Sequence, residues 1–200
     1  MSHYRTISKL SIACAAAFIG TFTPTAEADL MEIIFTGQGR GTLDGQVFAV
    51  SNFTVTALGN TNDREQPHAH VWILPHQTAS ITINGLGTFA VLSPTHTFVN
   101  QLGPIVGFSR SPGADLLSGW TNPIFADWEL NTSVGPIGGS AGTFQWNLEP
   151  LIETTGGVLI FESQSFNGTF SATIVPAPGA FMLLAVAGGI GGARRRRRSA

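Results

Sequence analysis

The chain has 200 residues, with ten lysines and arginines against twelve aspartates and glutamates, a net charge of −2. Half of the cations stand together at the C-terminus, so residues 29–174 keep three arginines (40, 64, 110), no lysine and eleven carboxylates, a net charge of −8. So acidic a body excludes nucleic acid and anionic lipid as partners, because both require a basic face.

The first 28 residues carry Arg5 and Lys9, an apolar stretch over 10–19, and Ala26-Glu27-Ala28. A basic start, a short apolar core and a small-x-small site form a secretory signal peptide. Cleavage after Ala28, with Ala26 as the other small residue, makes Asp29 the new N-terminus. The single cysteine, Cys14, lies inside this segment with the apolar core continuing behind it, too early for a lipoprotein site. The exported body therefore has neither disulfide nor thiol chemistry and is held by its core alone.

Over 29–174 the apolar residues alternate with period two, or form short runs bounded by glycine, proline or asparagine, and no stretch of twelve has helical spacing. Strands are predicted at 33–36 and 46–56, joined through Asp44-Gly45, and at 80–84 and 88–92, joined through Asn84-Gly85-Leu86-Gly87. Further strands are predicted at 69–74, 95–99, 105–108, 124–130, 143–148, 158–162 and 165–174. In the last of these Phe166, Phe170, Ala172 and Ile174 share a face with Gly168, a core-facing arrangement. Many short strands with glycine-rich turns and no crossover helices predict an all-β body, an antiparallel β-sandwich or jelly roll.

The densest polar stretch is Asn60-Thr-Asn-Asp-Arg-Glu-Gln-Pro-His-Ala-His70, with His76 six residues on. It reads first as a polar loop entering a strand. In a strand over 69–74, however, His68 and His70 would share a face and could present two imidazoles to a metal, with His76, Asp63 or Glu65 as further ligands. A calcium loop lacks its alternating oxygen ligands and terminal glutamate. No G-x-S-x-G elbow is present. Asp127, Glu129, Glu149 and Glu153, near Trp128 and Trp146, are the carboxylates from which a glycosidase pair could be drawn, although structural filling is the commoner use of tryptophan. Asn52-Phe-Thr, Asn131-Thr-Ser and Asn167-Gly-Thr match the glycosylation pattern, a match frequent by chance. These residues imply no cofactor and name no catalytic group.

The last 26 residues, 175–200, have three parts in strict order: Pro176-Ala177-Pro178, an apolar run over 179–193, and Arg194, Arg195, Arg196, Arg197 and Arg198. Arginines directly after an apolar run stop transfer, because they resist crossing the bilayer and remain in the cytoplasm. As a helix the run would extend about 22 Å, short against a bilayer core of about 30 Å, and five glycines weaken it further. The order resembles the PEP-CTERM sorting tail recognised by exosortase-type transpeptidases, with Ala177 where the commonest form has glutamate. That resemblance implies an exported protein of a diderm bacterium, held briefly in the inner membrane and then placed on the envelope or in extracellular matrix. The implied partners are the secretion machinery, the transpeptidase and the membrane, with exopolysaccharide as a candidate. On this reading the chain divides into a signal peptide (1–28), a β-sandwich ectodomain (29–174) and a sorting tail (175–200). The body is then structural or adhesive; the alternatives are a secreted carbohydrate-active enzyme or a glycan- or metal-binding module.

Overall fold

The computed structural model describes residues 29–175. The expected signal peptide, with Ala26 and Ala28, and the tail from Pro176 to Ala200 lie outside the described residues. The body's strands are β1 (Leu30–Leu43), β2 (Gln46–Asn60), β3 (Glu65–His68), β4 (Val71–Pro75), β5 (Thr78–Ile83), β6 (Gly87–Ala90), β7 (Thr95–Asn100) and β8 (Ile105–Arg110). They continue through β9 (Ala114–Thr121), β10 (Val134–Thr143), β11 (Ile152–Thr154), β12 (Gly157–Phe161) and β13 (Gln164–Val175). Two short 3-10 turns, Thr61–Asp63 and Pro123–Ala126, complete the elements.

All strands pair antiparallel within one sheet, in the order β3-β4-β7-β8-β9-β10-β13-β1-β2-β5-β6, with β12 pairing β1 and β11. Two predicted hairpins are present. Asp44 and Gly45 both have positive φ (50° and 77°), the conformation of a tight two-residue turn, and Leu43 faces Gln46 across it. Gly85, at φ 86°, turns β5 into β6, with Ile83 opposite Gly87. The four-residue strands β3 and β6 form the two ends of the order, and short edges limit pairing with other chains.

Alternation along the long strands builds the core. Met31, Ile33 and Phe35 of β1, Phe53, Val55 and Ala57 of β2, and Phe166, Phe170 and Ala172 of β13 are all buried, while their neighbours along each strand are less so. Phe35 packs at 5.2 Å from Phe170 on the adjacent strand, and also at 6.0 Å from Phe108 on β8 and 5.3 Å from Trp120 on β9. Since β8 and β9 are several strands away along the ladder, those contacts require the sheet to fold over so that its two halves enclose one core. Each large side chain so buried contributes roughly 1.5–3 kcal/mol. Glycine makes room for the rings: a Cβ at Gly39 would stand 2.5 Å from Phe161.

Three predicted elements are corrected. The stretch 124–130 is no strand: Pro123–Ala126 forms a 3-10 turn capped by the Asn122 side chain, which accepts from the Ile124 amide at 3.0 Å. Residues 144–148 leave the sheet, and the strand precedes them as the glycine-rich β10. The predicted strand 69–74 is present as β4 but begins two residues later: Ala69-His70 is the turn that joins it to the unpredicted β3, with His70 at φ 65°, a conformation histidine tolerates better than most residues. β9 was not expected at all. Among the described residues no helix is long and apolar enough to cross a membrane.

The register of β1 with its neighbours fixes where the body's ends lie. Leu30 pairs with Val175, and at the other end of β1 Leu43 pairs with Leu159. Chain entry and exit therefore share one pole of the sheet, and the Asp44-Gly45 turn marks the other.

Candidate functional site

The hairpin β3–β4 separates the expected metal ligands. His68 closes β3 and His70 occupies the turn, so the two do not share a strand face, and both are exposed. The polar stretch before them is used locally. Asn60 Oδ1 accepts from the Asn62 amide at 2.9 Å, and the Arg64 guanidinium lies 5.6 Å from the centre of the Trp72 ring. His76 belongs to a different environment, stacked on Phe108 at 5.4 Å with its Nδ1 and Nε2 each 2.9 Å from the hydroxyls of Thr95 and Thr97. A neutral imidazole donates through one nitrogen and accepts through the other, so both hydroxyls are matched and no lone pair is left for a metal. Burial, reinforced by the nearby His96, pushes the His76 pKa from 6.5 down to about 3. Among the described residues no group of three or more histidine, cysteine or carboxylate side chains is arranged to hold a metal ion.

The carboxylates and tryptophans also part company. Trp128 packs 5.7 Å from both Phe125 and Phe170 and donates its indole N–H to the Thr132 carbonyl at 3.0 Å. Trp146 packs 4.9 Å from Phe161 and donates to the Leu116 carbonyl at 2.7 Å. Both indoles are buried core with satisfied N–H groups. Asp127, Glu149 and Glu153 are exposed and Glu129 is half-buried. Asp127 and Glu129 flank Trp128, while Glu149 and Glu153 belong to the segment near Trp146. Among the described residues, two clefts, one beside His76 and Thr95 and one beside Phe144 and Glu162, are lined by none of the four.

A hydroxyl–imidazole pair was not foreseen from sequence. Ser111 Oγ lies 2.7 Å from His96 Nδ1, and Ser109 Oγ donates to Asp115 Oδ1 at 2.8 Å. A nucleophile–base relay would need the carboxylate on the second imidazole nitrogen, but Asp115 takes its hydrogen bond from Ser109 instead. Burial of His96 outweighs the attraction of Asp115 and Glu65, leaving its pKa below the ordinary value. The pair ties β7 to the β8–β9 turn.

The built surface of this body is the segment 144–151. Arg110, 4% exposed, sends Nη1 to the Leu148 carbonyl at 2.6 Å and to the Pro150 carbonyl, and Nη2 to the Glu149 carbonyl at 3.2 Å. A single guanidinium thus gathers three successive carbonyls, a use of its fixed fork of donors. The amides of Phe144 and Gln145 bond to the carbonyls of Leu116 and Asp115 at 3.0 and 3.1 Å, and Asp115 N donates to Gln145 Oε1 at 3.1 Å. So anchored, the segment turns Trp146 inward and leaves Phe144 outward, 44% exposed, above a groove of about 360 Å³ completed by Asn147, Ile160, Glu162 and Ser163. Arg40 reaches the rim and pairs with Glu162 at 2.7 Å.

No protein-family model matches the chain, and no curated protein or solved structure is significantly similar to it. The likeness of residues 175–200 to a sorting tail therefore rests on its motif. Sequence reasoning missed the groove because it placed Phe144 inside a strand over 143–148, where alternation would hide such a ring. The available signal was Asn147 inside that span and Pro150 two residues past its end, both turn-forming residues.

Proposed function

We propose that the chain is an exported display protein, sent out by its N-terminal signal and sorted by its C-terminal tail, whose β-sandwich-like body is structural or adhesive on the envelope or in matrix. The supporting observation is the pairing of Leu30 with Val175. The body leaves the signal junction and enters Pro176-Ala177-Pro178 at one pole, so a membrane-held tail would hang the whole sheet outward from that pole. The five arginines keep the tail's end in the cytoplasm while the body faces away. Two prolines separated by one residue keep the junction extended, since each fixes φ and lacks an amide donor. An extended backbone directly after β13 is what a transpeptidase can grip.

Replacing Pro176 and Pro178 by alanine tests this reading in cells. The P176A/P178A protein is expected to be exported and membrane-held but to accumulate with its arginine tail uncut. Processing and release at the wild-type rate would mean that the prolines are only a spacer and that the sorting reading is wrong.

A further inference from the structure

We infer that the groove under Phe144 binds a neutral polysaccharide chain; the inference deepens the display reading by naming what the outward body would hold. Position is the first argument. β1 runs from Leu30, beside the tail, to Arg40 at the groove's rim, and ten residues of strand span about 33 Å. The groove thus lies at the pole farthest from the membrane junction, where a ligand outside the cell is met first.

Chemistry is the second. Sugars present both C–H faces and hydroxyls, so a site for them needs an accessible flat ring beside side chains able to donate and accept. Phe144 supplies the ring, and its orientation is fixed: a Cβ at Gly142 would lie 3.0 Å from the ring, so the glycine lets Phe144 lie close along β10. Asn147 offers an amide and Ser163 a hydroxyl that make no side-chain hydrogen bond to another described residue, while Glu162 and Arg40 bring an acceptor and donors. The segment carrying Phe144 and Asn147 is held by the Arg110 clamp and the Trp146 anchor, so little ordering remains to oppose binding. Volume fits as well, since ligand clefts run from about 300 Å³ upward.

Charge is the third argument and selects the class. The body carries −8, and the rim's one cation is already paired with Glu162, so a uronic-acid or sulfated polymer would be repelled. A neutral glucan or similar hydroxyl-rich chain has no such penalty.

Affinity electrophoresis of the full chain, purified in mild detergent, decides the matter with gels containing dextran, laminarin or alginate. Retardation is expected in at least one neutral glucan and not in alginate. Phe144→Ala should weaken that retardation about tenfold, Phe144→Trp should retain it, and Leu148→Ala, also exposed, should leave it unchanged. Equal mobility of wild type and Phe144→Ala in every neutral gel, or equal retardation by alginate, overturns the inference. The melting temperature of Phe144→Ala, expected to match wild type because the ring is exposed, separates lost binding from lost folding. Cell fractionation of the same strains keeps the two readings apart. A protein that is exported and cut but binds no glucan ends only this inference, whereas one that binds but stays uncut in the cytoplasm ends only the sorting reading.

Discussion

His76 shows how a single half-buried side chain makes the stability of the body depend on pH. Its ring is enclosed by Thr95, Thr97 and Phe108, and burial holds its pKa at about 3 against 6.5 for a free imidazole. Above pH 6.5 both folded and unfolded chains leave it neutral, and nothing is lost. Between 6.5 and 3 the unfolded chain takes up a proton that the folded one refuses, so stability falls with falling pH, by at most about 1.4 kcal/mol per pH unit. His96 is shifted the same way by burial, against the opposing attraction of Asp115 and Glu65. Thermal melts from pH 7.5 to 4.5 should therefore drop more steeply for wild type than for His76→Gln, which can still hydrogen-bond both threonines but cannot titrate. Parallel slopes would show that His76 is protonated in the fold. Nothing in the sequence around Pro75-His76-Gln77 marks this: it is the Thr95–Thr97 side of β7 and the Phe108 ring, distant in the chain, that bury it. By contrast, the inward set Phe166, Phe170 and Ala172 was legible from alternation alone, because strand geometry fixes which side each residue takes.

Among the elements, those with local rules could be read and those with only distant partners could not. The Asp44-Gly45 and Asn84–Gly87 hairpins follow from residues that accept positive φ. β10 does not: glycines at 135, 138, 139 and 142 and Pro136 argue against a strand, and it exists because β13 supplies a ladder from Ile137–Phe170 to Thr143–Gln164. The turn at Ala69-His70 stands where the predicted strand 69–74 would begin, and that turn takes the expected pair of histidines apart. The segment 144–151 is likewise decided from afar, by Arg110. Replacing Arg110 with methionine would leave the carbonyls of Leu148, Glu149 and Pro150 without their donor. A fully buried acceptor so orphaned costs about 1–3 kcal/mol, and these, on exposed residues, cost less, because water reaches them. Allowing for the guanidinium's own burial cost, Arg110→Met is expected to destabilise by roughly 2–4 kcal/mol. Limited proteolysis should then cut first within 144–151. A variant as stable as wild type and uncut there would show that the guanidinium's burial cost cancels its three bonds.

At the scale of the whole molecule, the sheet joins two poles. One gathers both ends of the body, Leu30 beside Val175, next to the predicted sorting junction. The other carries the Phe144 groove, reached along the length of β1. The destination proposed for the chain rests on charge order alone: two cations before a short apolar stretch, an acidic body without lysine, and five arginines after an apolar run. Sequence could not reveal the groove, which is assembled from the end of β12, the turn from β12 to β13 and the clamped segment. The central claim is that the chain is exported and its tail processed, and the intact mass of the native protein, taken with its cell fraction, measures that directly. The account predicts a mature N-terminus at Asp29, loss of Arg194–Arg198, and a product in the envelope or medium. The full 21.1 kDa chain recovered uncut from the cytoplasm would contradict it.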